Sequence, residues 1–236
     1  TNDDGISSPG LAVLVRAALD RGHTVKVAAP AEEYSGASSS LSGEEIDGRI
    51  ALVAAAPPGM PRDVDCVGVK AAPALIAFLA SYGAFGQRPD LVLSGVNLGA
   101  NTGKATLHSG TVGAVLTAAS HGIPGIAVSI TSGAPQHWDT AHLVTRFALE
   151  RWETRPFDEW ILNINVPDVA PERLRGLKPA RLAGFGAVQA QIDRGDDTHI
   201  AVTYSAETGR EEPNSDHYLL THGWATATLL HAPVND

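Results

Sequence analysis

The chain has a single cysteine, Cys66, in 236 residues. That excludes an internal disulfide framework and a zinc site built on thiolates, and it suits a reducing compartment, with the cytoplasm as the expected location. Positive charge is also scarce, with 17 Lys and Arg against 26 Asp and Glu and a formal net charge of −9. Nucleic-acid surfaces gain affinity by replacing counterions with cationic side chains, so no nucleic-acid polymer is expected as a partner. A small anion remains compatible, because one bound metal ion reverses the local field whatever the net charge. No run is long and apolar enough to cross a bilayer, so no membrane partner is expected either. No sequence repeat or low-complexity tract is seen; no charged-then-apolar leader precedes the motif, but a chain opening at Thr1 without a starting Met is expected to have lost something upstream. What remains is an ordinary globular balance, 44% hydrophobic and 18% charged, at a length one core can serve.

Along the chain, Ser8 and Pro9 open an expected helix over residues 8–22, with Leu11, Leu14, Val15 and Ala18 on one stripe and Gly22 at its end. "HTVKVAAP" reads as a strand ending near Pro30, and residues 31–45 as a polar loop. A helix in "AAPALIAFLASYG" leads to a short strand at 90–94, "DLVLS", and then to the Gly- and Asn-rich loop "GVNLGANTGKATLHSG". "TVGAVLTAASHG" is a helix of small residues suited to close packing on a sheet. "PGIAVSI", "WDTAHLVTRFALERW" and "WILNINV" continue the alternation as strand, helix and strand. Such alternation predicts βαβ crossovers, hence an α/β fold with a Rossmann-like, doubly wound, mostly parallel sheet over residues 1–168. Residues 169–236 read as a C-terminal β-rich extension or arm within one overall domain, with strands in "ARLAGFGAVQAQID", "THIAVTYS" and "GWATATLL". A helix starting so soon after "NDDG" also implies a strand feeding into that motif, expected upstream of Thr1.

In an open α/β sheet, the loops leaving the strand carboxyl ends gather on one edge, where ligands bind. Three polar loops belong there: Asp3 and Asp4 in "TNDDG", the serines of "YSGASSS", and the asparagines of "SGVNLGAN". Their carboxylate, hydroxyl and carboxamide oxygens form a hard donor set suited to Mg²⁺ or Mn²⁺ rather than zinc or copper. Each loop alone has a plainer reading. Asp-Asp-Gly is commonly a solvated turn, Ser35, Ser38, Ser39 and Ser40 suit caps, and Asn97 and Asn101 suit left-handed turns beside Gly99 and Gly103. The metal reading gains because "NDDGISSPG" joins a strand to a helix with no spare length. Farther on, "HSGTVGA" places Ser109, Gly110 and Thr111 at a helix N-terminus, an anion seat whose plain alternative is N-capping by Ser109. A metal edge and an anion seat on one loop point jointly to phosphate chemistry. His108 and Lys104 lie nearby, but structural or solvated roles suit them better. His137 and His142 of "HWDTAH" do not share a helix face well and are rejected as a metal site.

The segments "NDDGISSPGL", "VKVAAPAEEYSGASSSL", "DLVLSGVNLGANTGKATLHSGTVGAV", "GIPGIAVSI" and "ILNINVPD" together resemble the survival protein E (SurE) family of metal-dependent nucleotidases and phosphatases. The resemblance is specific from Asn2 to Asp168 and looser in "NSDHYLLTHGWATATLL". It implies a Rossmann-like core, one divalent cation, Mg²⁺ or Mn²⁺, and hydrolysis of nucleoside 5′- or 3′-monophosphates. It also implies a homodimer or homotetramer joined partly through C-terminal arms. Residue by residue, it implies Asp3, Asp4, Ser35 and Asn97 as metal ligands. Asn101, Ser109, Gly110 and Thr111 would face phosphate, with Asn2 beside the acidic pair. Asp3, Asp4, Asn101 and Ser109 would carry the catalysis. Two stretches depart from the family: "MPRDVDCVGV" keeps Asp65 and Cys66 without a clear Gly-Thr-Pro before them, and residues 184–216 offer nothing to align. Among other classes, a dinucleotide-dependent oxidoreductase is disfavoured because "GVNLGAN" is not G-x-G-x-x-G and no acidic residue follows at the required distance. A phosphatase for another small ester, or a non-catalytic metal or nucleotide sensor on the same scaffold, stays open.

Overall fold

The computed structural model describes residues 1–154, 160–185, 188–193, 201–206 and 211–232. In chain order the elements are α1 (Pro9–Leu19), β1 (Lys26–Pro30), β2 (Glu45–Ile46), β3 (Arg49–Ile50), β4 (Leu52–Ala54), β5 (Asp65–Val69), α2 (Pro73–Ser81) and β6 (Val92–Leu98). There follow a 3₁₀ turn (Lys104–His108), α3 (Gly110–Ser120), β7 (Gly125–Ile130), α4 (Trp138–Thr154), β8 (Trp160–Val166) and a second 3₁₀ turn (Pro171–Arg173). The last elements are β9 (Leu177–Pro179), β10 (Val188–Asp193), β11 (Ala201–Ala206), α5 (Asp216–Thr221) and β12 (Ala225–His231).

The main sheet runs β6-β7-β8-β12-β9, and its first three strands are parallel, as short crossovers through α3 and α4 require. β12 returns antiparallel to β8, placing Thr226 opposite Asn165 and Thr228 opposite Asn163, and β9 lies parallel to β12 at the edge. The last strand among the described residues is therefore part of the central sheet. A smaller sheet, β1-β5-β4, is parallel between β1 and β5 and antiparallel at β4. Residues 1–6 join the two sheets. Thr1 exchanges bonds with β6, its N donating to Leu93 O at 3.0 Å and its O accepting from Gly95 N at 2.9 Å. Ile6 N then donates to Pro30 O at the end of β1, at 2.7 Å.

Strand side chains alternate between faces, and here both faces are covered, which is what makes the sheet doubly wound. On one side α1 and α4 bury Val13, Leu14, Ala17, Val144 and Leu149 against Ile126, Val128, Ile130, Ile164 and Val166. On the other, α2 and α3 bury Ala77, Val112, Val115 and Ala118 against Ala127 and Ile161. Small residues allow close approach on this side: a Cβ on Gly125 of β7 would lie 2.5 Å from Val115 Cβ of α3, and one on Gly113 would meet the loop carbonyl Ser38 O at 2.0 Å.

Several local expectations shift. The first helix is α1, shorter than 8–22, and Ser8 caps it without a side-chain hydrogen bond. The strand expected at 90–94 runs on as β6 to Leu98, through a register irregularity at Gly95/Asn97, so Asn97 lies within a strand, opposite Ser129, instead of standing in a loop. Residues 45–54 hold three short strands, and the second polar loop contains a 3₁₀ turn. In "ARLAGFGAVQAQID" the strand begins only at Val188, while Arg181 makes a lone parallel bridge to Ser215. Among the described residues, β10 and β11 pair antiparallel with each other alone. The start of "THIAVTYS" lies outside the described residues, as does much of 184–216. Among the described residues, no helix is long and apolar enough to cross a membrane.

Candidate active site

The Asp-Asp pair sits where residues 1–6 cross between β6 and β1. Asn2 is fully buried and donates from Nδ2 to Gly5 O at 2.9 Å, closing the turn that presents the two carboxylates. Asp3 is 3% exposed. Its Oδ2 accepts from the Thr111 backbone N–H at 3.0 Å, and its Oδ1 accepts from the Thr111 hydroxyl. Helix N-termini carry unpaired N–H groups and a positive end of the peptide dipole, so a carboxylate suits this position. Gly110 makes the approach possible, because a Cβ there would lie 2.9 Å from both Asp3 Cβ and Oδ2. Ser109 Oγ accepts from Val112 N at 3.1 Å, an N-cap.

The two Thr111 donors that the sequence pattern offered to phosphate are thus engaged by Asp3, while Ser109 Oγ is used as an acceptor. Asp3 fills the helix N-terminus, and Ser109 caps it. Asn101 is also turned inward: it is 8% exposed and its Nδ2 donates to Ser129 Oγ at 2.9 Å.

Asp4 points the other way, into an open cleft of about 370 Å³ lined by Asp4, Ser7, Ser8, Pro9, Glu33, Ser35 and Leu98. Its Oδ2 accepts from Leu98 N at 3.4 Å, beside Asn97. Asn97 donates from Nδ2 to Gly99 O at 2.7 Å, which leaves Oδ1 as the carboxamide's oxygen donor. Ser35 is exposed and donates to Glu33 Oε1 at 2.6 Å. Its loop is anchored on both sides, by Tyr34 N donating to Asp3 O at 2.8 Å and by Ser38 N donating to His108 O at 3.3 Å. The three polar loops therefore meet on one edge, with Asp4 and Ser35 in one cleft, Asn97 adjoining it and Asp3 behind.

Burial first, then the adjacent Asp3 carboxylate and to a lesser degree Glu33, push the Asp4 carboxyl up to about 6 against the Leu98 N–H, which favours the charged form. Burial also raises Asp3, opposed by the two Thr111 donors. Neither carboxylate has a cationic partner within ion-pair distance among the described residues. Among the described residues, no three His, Cys, Asp or Glu converge as a metal site, so any cation in this cleft depends on hydroxyl and amide oxygens beside the two carboxylates.

His108 and Lys104 line a different cavity of about 500 Å³, bounded by Val112, Leu116, Ala183 and Leu230. His142 is paired with Asp20 at 3.0 Å, and the His137 backbone N donates to Asp168 at 2.9 Å. Glu33 was missed by sequence reasoning, as were Asn163, Asn165 and Asp216, which hold the loop after β6. Asn163 and Asn165 did leave a signal: two polar residues at period two in the apolar run "WILNINV".

The family model described as survival protein SurE matches residues 1–187. A protein named 5′-nucleotidase SurE from Methylococcus capsulatus is 33% identical over 234 residues, 98% of this chain and 89% of its own length. One of the same name from Marinobacter nauticus is 35% identical over 236 residues, covering 98% and 88%. A crystal structure of the SurE protein from Aquifex aeolicus aligns with a TM-score of 0.81 and 27% identity over 100% of this chain and 93% of that one. With the motif segments in order and the fold matched from end to end, this chain belongs to the SurE family.

Proposed function

We propose that this protein is a metal-dependent phosphomonoesterase that hydrolyses nucleoside monophosphates, with one divalent cation held by Asp3, Asp4, Ser35 and Asn97. The observation that carries the reading is the Asp3–Asp4 pair, Asp4 lining the cleft and Asp3 buried directly behind it, with no cationic side chain within ion-pair distance of either among the described residues. Their neighbours supply neutral oxygens, so the donor set fits Mg²⁺ or Mn²⁺. The relatives named 5′-nucleotidase SurE support the substrate class.

When bound, such a cation neutralises phosphate oxygens and brings a water's pKa toward neutrality. The protein's own groups do the positioning. Thr111 fixes Asp3 through both its donors, and the Leu98 N–H holds Asp4 toward the cleft. Gly99 O takes the Asn97 Nδ2 hydrogen and so turns Oδ1 outward. In the overall reaction water oxygen bonds to phosphorus, the ester P–O bond breaks, and the alcohol oxygen leaves with a proton, giving nucleoside and inorganic phosphate. Phosphoryl transfer asks little covalent work of side chains, so charge placement of this kind supplies most of the rate. Thr111 and Ser109 serve indirectly in this arrangement, through Asp3 and the α3 terminus.

The β10–β11 ribbon, which pairs with no other strand among the described residues, suits an arm joining a homodimer or homotetramer, since a lone two-stranded ribbon is marginal in water. Light scattering of the intact chain and of one with the ribbon shortened tests this assignment; equal masses would reject it. The function is tested by phosphate release from a panel of nucleoside 5′- and 3′-monophosphates and simple phosphate esters with Mn²⁺ or Mg²⁺, with and without chelator. Metal-dependent release is expected. Mn²⁺ binding without turnover on any ester would replace the enzyme by a sensor.

A further inference from the structure

β8 alternates between its two faces: Leu162, Ile164 and Val166 pack under α1 and α4, whereas Ile161, Asn163 and Asn165 face the α3 side. Both asparagines are completely buried. A buried carboxamide is costly unless its donors and acceptors are matched, so their partners show what they are for. Asn165 Oδ1 accepts from Asn101 N at 2.7 Å, and its Nδ2 donates to Asn101 O at 3.1 Å. Asn163 Nδ2 donates to the same carbonyl at 2.9 Å, while its buried Oδ1 has no hydrogen-bond partner among the described residues, so Asn163 is the half-matched member of the pair. Asn101 in turn reaches Ser129 on β7. One side-chain amide thus pairs with both main-chain groups of a single residue, as a neighbouring strand would, and a second amide doubles the hold on its carbonyl.

The clamped residue stands in the middle of the loop that follows β6. At one end of that loop Gly99 O orients Asn97, and at the other Gly103 N donates to Asp216 Oδ2 at 2.8 Å. Two apolar side chains would fill the same layer under α3 without fixing the register of this loop. We propose that Asn165, with Asn163 beside it, is a positioning residue of the hydrolytic site: its two-bond grip on Asn101 sets the Gly99 carbonyl, and through it the direction of the Asn97 carboxamide oxygen. This inference rests on Asn97 being a ligand of the cation.

Asn165→Leu removes both bonds while keeping the branched heavy-atom outline, Asn163→Leu removes one, and Asn165→Asp keeps the acceptor for Asn101 N–H. Three quantities are read on each: amide exchange of Asn101, Mn²⁺ affinity by calorimetry, and kcat/KM. For Asn165→Leu, Asn101 exchange should rise at least about tenfold while β7 amides keep their protection, and Mn²⁺ affinity and kcat/KM should fall about 10- to 100-fold. Asn163→Leu and Asn165→Asp should fall between it and wild type, and they carry the comparison if Asn165→Leu does not fold. Faster Asn101 exchange with unchanged Mn²⁺ affinity and turnover would overturn the proposal, and so would unchanged exchange. A wild-type protein that binds Mn²⁺ but releases no phosphate would remove the hydrolytic reading alone; exchange and Mn²⁺ affinity would still decide the clamp.

Discussion

Thr111 donates twice to Asp3, from its backbone N–H at 3.0 Å and from its hydroxyl, across 108 residues of sequence. The first acidic residue of the motif therefore meets the N-terminus of α3 from within the protein. This joins two features that the sequence presents separately, an acidic turn and an anion seat. It also divides the acidic pair by role, with Asp3 anchored inside and Asp4 facing the cleft.

Removing the hydroxyl without changing shape tests that anchoring. Thr111→Val leaves the backbone donor but strips Asp3 of its side-chain partner in a buried place, which should cost about 1–3 kcal/mol of stability. Urea unfolding with chelator present measures it. Divalent affinity should fall as well, because Asp3 loses its fixed direction. A variant as stable as wild type would mean that the hydroxyl bond contributes nothing net.

The two aspartates should respond differently to the same change. Asp4→Asn should lower kcat/KM about 10³-fold, near 4 kcal/mol of transition-state stabilisation, while leaving the metal-free protein as stable as wild type or more so. Neutralising Asp4 relieves its repulsion with Asp3 and Glu33. Asp3→Asn should lose both activity and stability, since an amide nitrogen would then face a Thr111 donor. Phosphate-release kinetics and melting curves on the two variants settle this; equal melting temperatures with chelator would contradict the division of roles.

Much of this was legible from residue types in order. Hydrophobic alternation identified the β6-α3-β7-α4-β8 crossovers, and the three polar loops were placed correctly on one edge because parallel βαβ units leave their carboxyl-end loops nowhere else to go. Other features depended on partners distant in sequence. "HSGTVGA" reads equally well as a phosphate seat or a cap, and only the Asp3 side chain arriving from the start of the chain decides how its donors are used. Likewise Asn101 looks like a loop residue free to meet phosphate, until Asn163, Asn165 and Ser129 turn it inward. The short strands in 45–54 escaped notice because two or three residues are too few to show a period.

Close packing gives a further test. Gly110→Ala adds a methyl group 2.9 Å from Asp3 Cβ and Oδ2, so the aspartate or the first turn of α3 has to shift. Mn²⁺ affinity and kcat/KM should both fall, by about tenfold or more, since a displacement near 1 Å at a reacting centre has effects of this order or larger. Gly22→Ala, where an added Cβ meets nothing within 4 Å but φ is +83°, serves as control: it should cost stability without changing Mn²⁺ affinity. If Gly110→Ala binds Mn²⁺ as tightly as wild type, Asp3 is not held as closely as its contacts indicate.

The raised Asp4 carboxyl fixes the sign of two pH effects. Its folded value of about 6 lies above the unfolded value near 4, so the folded, metal-free protein holds that proton more tightly. The associated stability is present below about pH 4 and lost as pH rises through about 6. The partial exposure of Asp4 limits it to roughly 1–2 kcal/mol. With chelator, the stability of wild type minus that of Asp4→Asn should therefore decline between pH 4 and 6.5, the subtraction removing the other carboxylates. A bound cation requires the ionised pair and competes with the proton, so Mn²⁺ affinity should be nearly flat above pH 7 and fall about tenfold per unit below 6. Calorimetry across that range, with melting curves on both proteins, checks the two trends together. A wild-type-minus-variant difference independent of pH, or Mn²⁺ affinity that holds steady down to pH 5, would show that Asp4 is already charged without the metal and that the cleft is wetter than its geometry suggests.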